Sequence, residues 1–323
     1  EQRAQREQGV SVVPESGCQQ GWQGGADPSG WAGRGLEQLG SSLHNPVAAL
    51  SMTQNSTLVL GQSSSVAMTY PGGTRYWGQA DLTSNSNTAT QILRSMAQMQ
   101  FAQGYDNEYV RTMKAALNDS TILANALTQA GPAPTDLGTE YLAQELAYLA
   151  QIIPVMKSYG YRRQVFLVEY GGFDTHTAQR SNAINDKQSQ DYLLSVVAKA
   201  MVGFDAALQR SGLGNNVVTF TMSDFSRTLK PAAGGGSDHA WGGHSMVMGG
   251  PVLGGAVYGS FPSLMLGGVD DFDDAAGGRW VPTTSVDQVG ATLMTWMGLP
   301  AANMATVFPN LVNFKQANLG FLA

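Results

Sequence analysis

Charge is what this chain has least of. Asp, Glu, Lys and Arg make up 13% of its 323 residues, about half the share of an ordinary soluble protein, and the net charge is -6. So few cations argue against nucleic acid as a partner. The same charge-poor, Gly/Ser/Asn/Gln-rich composition fits an exported, periplasmic or extracellular protein better than a cytosolic one. The single cysteine, Cys18, excludes an intrachain disulfide and a thiolate metal cluster; its Gly- and Gln-rich surroundings are those of a loop. No apolar run approaches the roughly 18 residues that span a bilayer. A basic, apolar leader is also lacking before Glu1, so the expectation is a mature form that has lost a signal peptide, or a fragment.

What remains is enough for a core: 43% of residues are hydrophobic, and the length suits one large α/β domain or two small ones. Residues 1–87 read as loop-rich, with a short helix at 31–39, a short strand at 57–61 and an irregular polar excursion over 62–87. Residues 1–21 carry no apolar strand. From Thr88 the period becomes helical: Ile92, Met96, Met99 and Phe101, then Tyr109, Met113, Ala116 and Leu117. Gly131-Pro132-Ala133-Pro134 breaks this run. A long helix follows with Leu142, Leu146, Leu149, Ile153 and Met156 on one stripe, which Pro154 is expected to kink or shorten. Residues 164–170 and 216–222 read as buried strands joined by a helix over 186–209, the spacing of a parallel, right-handed βαβ unit. A further strand is expected at 245–250 and a helix over 285–297 with Val286, Val289, Leu293 and Trp296 on one face.

Histidine is scarce, and its placement is informative. Three of four histidines lie in two short segments, Gly171-Gly172-Phe173-Asp174-Thr175-His176 and Ser237-Asp238-His239-Ala240-Trp241-Gly242-Gly243-His244. Ser223-Asp224-Phe225-Ser226-Arg227-Thr228 lies between them, after the second buried strand. In an open parallel sheet, ligands bind beyond the carboxyl ends of the strands, so these segments can converge on one crevice. Carboxylates and imidazoles are ligands for zinc and related divalent cations. Asp174, His176, Asp224, Asp238, His239 and His244 are therefore the candidate metal ligands, enough for one ion or two. Asp174 and Asp224 also suit helix N-caps, and Arg227 and Ser223 suit either an anionic ester or a structural partner. His44, before Asn45-Pro46, has no such neighbours. Trp22, Trp31, Trp77 and Trp241 near Gly-rich loops raise a weaker idea, carbohydrate or polymer binding, against ordinary packing.

These segments, with Gly30-Trp31-Ala32-Gly33-Arg34, Pro282-Thr283-Thr284-Ser285-Val286-Asp287-Gln288 and Val307-Phe308-Pro309-Asn310-Leu311, resemble the ordered motifs of the sulfatase-like family called domain of unknown function 1501. The resemblance implies an alkaline-phosphatase-like α/β fold: a central, mostly parallel sheet flanked by helices, with an incomplete N-terminal part. It also implies export by the twin-arginine route and one or two divalent metals (zinc first, then manganese or calcium) at the carboxyl edge of the sheet. In that comparison Asp174 and His176 match a ligand pair, Asp224 the first residue of an Asp-His element and His244 the last histidine ligand, while Phe225 stands where the superfamily often has His. The chain is accordingly expected to form one sulfatase-like unit over 1–323, with the metal-site core in 88–323. Two functions follow. One is a metal-dependent hydrolase of small phosphate or sulfate esters, with Arg227 and Ser223 near the substrate. The other is a non-catalytic exported surface or structural protein with a structural metal site, self-assembling or binding surface partners.

Overall fold

The computed structural model describes residues 8–12, 29–53, 57–72, 87–181 and 186–323, with backbone alone at 8–12, 42 and 43. The elements run β1 (Gln8–Val12), α1 (Trp31–Gln38), α2 (Ser41–His44), β2 (Ala49–Ser51), β3 (Ala67–Met68), α3 (Thr88–Met96), α4 (Gly104–Gln129), α5 (Tyr141–Ser158), β4 (Gln164–Val168), α6 (Gln190–Arg210), β5 (Val217–Thr221), β6 (Ser226–Arg227), β7 (His239–Ala240), β8 (Val247–Met248), α7 (Val286–Met297) and α8 (Met304–Val307). The protein is mixed α/β. Its main sheet has the order β3-β2-β4-β1-β5-β8, parallel throughout except for the edge pair β5–β8. A separate ribbon pairs β6 with β7.

The sheet is buried because its central strands are apolar on both faces. Phe166 and Val168 of β4 join a cluster with Leu142, Leu146, Ile153 and Phe204 from α5 and α6, while Val165 and Leu167 join another with Trp31, Leu293 and Trp296 from α1 and α7. A strand with no polar face needs helices on both sides. The whole expected α5 stripe is buried. Each such side chain contributes about 1.5–3 kcal/mol by leaving water, and Leu146→Ala would cost about 2–5 kcal/mol. On the opposite side α7 starts at a capping box between Ser285 and Gln288 and stops at Gly298 in the left-handed region.

Several expectations are corrected. Residues 8–12, in a stretch expected to hold no strand, form β1 at the centre of the sheet, between β4 and β5. Hence β4 and β5 are parallel but not neighbours. The expected strand at 57–61 is a 3-10 turn, Thr57–Val59, because its apolar residues tuck under α1, where Gly30 and Gly33 touch its backbone. The polar excursion contains the edge strand β3, and residues 73–86 lie outside the described residues. Pro154 does not end α5, which runs on to Ser158. α6 begins at Gln190 behind the Ser189 cap, not at Asp186, and the strand expected at 245–250 shrinks to Val247–Met248. Ile92, Met96, Met99 and Phe101 have helical spacing as far as Met96 but are exposed.

No helix among the described residues is long and apolar enough to cross a membrane.

Candidate metal centre

Because β4 and β5 are parallel, the residues after Val168 and Thr221 emerge at the same edge of the sheet. The loop after β4 is tied to residues 234–237 by backbone bonds: Ala178 N–H donates to Gly234 O, Gln179 N–H to Gly235 O, and Ser237 N–H to Thr175 O. This approach requires glycine. A Cβ on Gly236 would stand 2.1 Å from the His176 carbonyl carbon, a clash against backbone that no rotamer relieves. The ribbon then fixes His239 opposite Arg227.

Three side chains meet there. Asp174 Oδ1 lies 2.9 Å from His176 Nε2 and 2.6 Å from His239 Nε2, and the two Nε2 atoms are 3.2 Å apart. Among the described residues these three form the group whose ligand atoms lie within 4.8 Å of one another. Both imidazoles can donate to Oδ1, but that leaves their nitrogens crowded. A divalent cation held by these three residues would relieve that crowding by taking one lone pair from each group. All three side chains are exposed, so the group faces solvent. Asp238 Oδ1 lies 3.5 Å from His176 Nδ1, on the ring edge away from the centre, where a carboxylate orients a metal-binding imidazole. The hydrogen bond to His239, reinforced by His176 and Arg227, holds the Asp174 carboxyl below the ordinary carboxylate range, so it is ready as an anion.

The other predicted residues fall around this triad. Arg227 Nη2 donates to Asp174 Oδ1 at 2.9 Å, and the same guanidinium donates to the carbonyls of Phe173 and Ser237. It therefore braces the two ligand-bearing loops against each other. Ser223 Oγ donates to Phe225 O at 2.8 Å. Asp224 and His244 stand outside the triad; His244 stacks on Phe261 at 5.1 Å. Neither Asp174 nor Asp224 caps a helix, because the segments after them are not helical. Trp31 is a packing residue between Phe220 and Phe308. Trp22, Trp77 and Cys18 lie outside the described residues.

Two features escaped the sequence. Phe225 stacks on the His239 ring at 4.3 Å with an 18° tilt, setting that imidazole's plane. Glu145 of α5 is 1% exposed, and its Oε2 has no hydrogen-bond partner. Burial, with the Glu169 carboxylate as a second cause, pushes its pKa up to about 9, so it is neutral at pH 7. A lone Glu inside an apolar helix stripe was the available signal.

No curated protein matches this chain. The family described as Protein of unknown function (DUF1501) matches residues 12–298, a span that includes both ligand-bearing loops and the strands β4 and β5. The chain belongs to that family.

Proposed function

We propose that this protein binds a divalent cation, zinc first among them, at Asp174, His176 and His239, and uses it to hydrolyse a small phosphate or sulfate ester in an exported compartment. The observation that carries the proposal is the convergence of one carboxylate and two imidazoles from two loops onto one solvent-exposed point beyond β4 and β5. The donor set suits zinc, and manganese fits less well. A bound ion would supply Lewis acidity toward an anionic ester oxygen. The chain's own part is positional. Asp174 presents a permanent anion, Phe225 and Asp238 set the ring planes, and Arg227 keeps the two loops in register. The mostly parallel sheet, with the centre at its carboxyl edge, supports the alkaline-phosphatase and sulfatase likeness. Low charge supports export.

A second function, a structural metal site in a non-catalytic exported protein, is favoured by one observation. Arg227 and Ser223, the residues expected to meet substrate, donate to the protein's own backbone. Elemental analysis after zinc loading, followed by assays on phosphate and sulfate monoesters, separates the two. Hydrolysis requires about one bound zinc per chain and turnover that His239→Ala abolishes together with the zinc. Zinc without turnover leaves the structural role, and absence of zinc uptake overturns both.

A further inference from the structure

The surface beside the triad is apolar to an unusual degree. On the β6–β7 ribbon Arg227 pairs with His239, and Phe225, just before β6, stacks on the His239 ring. Trp241, just after β7, is 68% exposed. Phe261 stacks on His244, whose neighbour Gly243 lies against Ser226 of β6. Leu229 and Leu266 meet over Gly278, next to Arg279, whose Nε donates to the His239 carbonyl. The loop that brings Phe261 and Leu266 here also leaves Met265 and Phe272 in water, the latter 74% exposed. A soluble domain rarely exposes so many large apolar side chains together unless they bind something.

Charge narrows what that is. The guanidinium of Arg227 is spent on Phe173, Ser237 and Asp174, and that of Arg279 on His239 O and Asp273. Asp270, Asp271, Asp273 and Asp274 add negative charge to the same loop. Lys230, exposed next to Leu229, is a single cation and not the row that a polyanion needs, whereas one anionic head at the centre and an uncharged body on the shelf meet no repulsion along their length. We propose that the shelf of Trp241, Phe261, Leu229 and Leu266 binds the apolar body of an amphiphilic ester, an alkyl chain bearing one phosphate or sulfate head. This rests on the hydrolase proposal above and names its substrate class.

The test compares octyl phosphate with methyl phosphate by calorimetric titration of the zinc-treated chain below the micellar concentration, with zinc content measured on the same samples. Octyl phosphate is expected to bind about 100-fold more tightly, the effect of roughly half its added methylenes leaving water. The Trp241→Ser, Phe261→Ser double variant should lose most of that preference and keep its zinc, because both positions are exposed. Equal affinity for the two esters, or a preference that survives the double variant, overturns the shelf. If zinc is taken up but the esters bind equally, the shelf fails and the metal site stands. If no zinc is taken up but the variant-sensitive preference is present, the metal site fails and the shelf stands.

Discussion

Beyond the carboxyl ends of β4 and β5, Asp174 sits in water with two imidazoles and a guanidinium against one of its oxygens. On the helix that covers one face of the same sheet, Glu145 sits among Leu and Ala with an orphaned oxygen. Partners hold the first carboxyl below its ordinary range, and burial pushes the second up to about 9. One residue chemistry thus gives a fixed anion at the edge and a neutral group in the interior. Cationic partners make a carboxylate available for binding. Desolvation without such partners removes its charge and leaves it a burden on stability.

The sharpest way to break this contrast is to remove a corner of the triad. Asp174→Ala, or either imidazole to alanine, should weaken zinc binding by about 4 kcal/mol, close to a thousandfold, read by competition with a chromophoric chelator. The fold should survive, because all three side chains are exposed. The interior half is tested by pH. Glu145 takes up its proton near 4.5 in the unfolded chain and at about 9 in the folded one. Its contribution is therefore complete below pH 4.5 and drains away as pH rises toward 9, as the unfolded chain releases a proton that the folded one keeps. Glu145→Gln, a permanent neutral mimic, should flatten that slope and raise stability by about 3 kcal/mol at pH 7, with little change at pH 4. Urea unfolding at several pH values reads both. A wild-type stability that does not fall between pH 5 and 8 would remove the buried neutral carboxyl. The smallest effect belongs to Asp238. Asp238→Asn should weaken zinc binding about tenfold by loosening the His176 ring, without moving the unfolding midpoint of the metal-free chain.

Legibility in the sequence followed physical redundancy. α5 and α7 could be read because each repeats the helical period over many apolar residues, and β4 and β5 because each is a short run of β-branched, aromatic and other apolar residues. β1 could not, because Gln8-Gly9-Val10-Ser11-Val12 has only two large apolar residues and owes its place to backbone ladders on both sides. Thr57-Leu58-Val59-Leu60 was ambiguous for the opposite reason, since a short apolar run suits a strand or a turn beneath a helix equally. At the site, strand ends and residue types were enough to find Asp174, His176 and His239. They did not separate these from Asp224 and His244, because position after a strand does not fix where a side chain points. The bracing role of Arg227 was invisible, as its main partners are backbone carbonyls, which every residue carries.

The central place of β1 has a kinetic consequence. Gln8 pairs with Gln164 on one side and Val217 on the other, so β1 finds its neighbours only after a long stretch of later chain has emerged from the ribosome. Pairings this distant in sequence close slowly. Until they form, β4 and β5 each present a bare parallel edge, and the segment that later seals the gap between them waits as an unpaired ribbon. Refolding of this protein should therefore be limited by one late insertion event, and the nascent chain is most prone to aggregation before it.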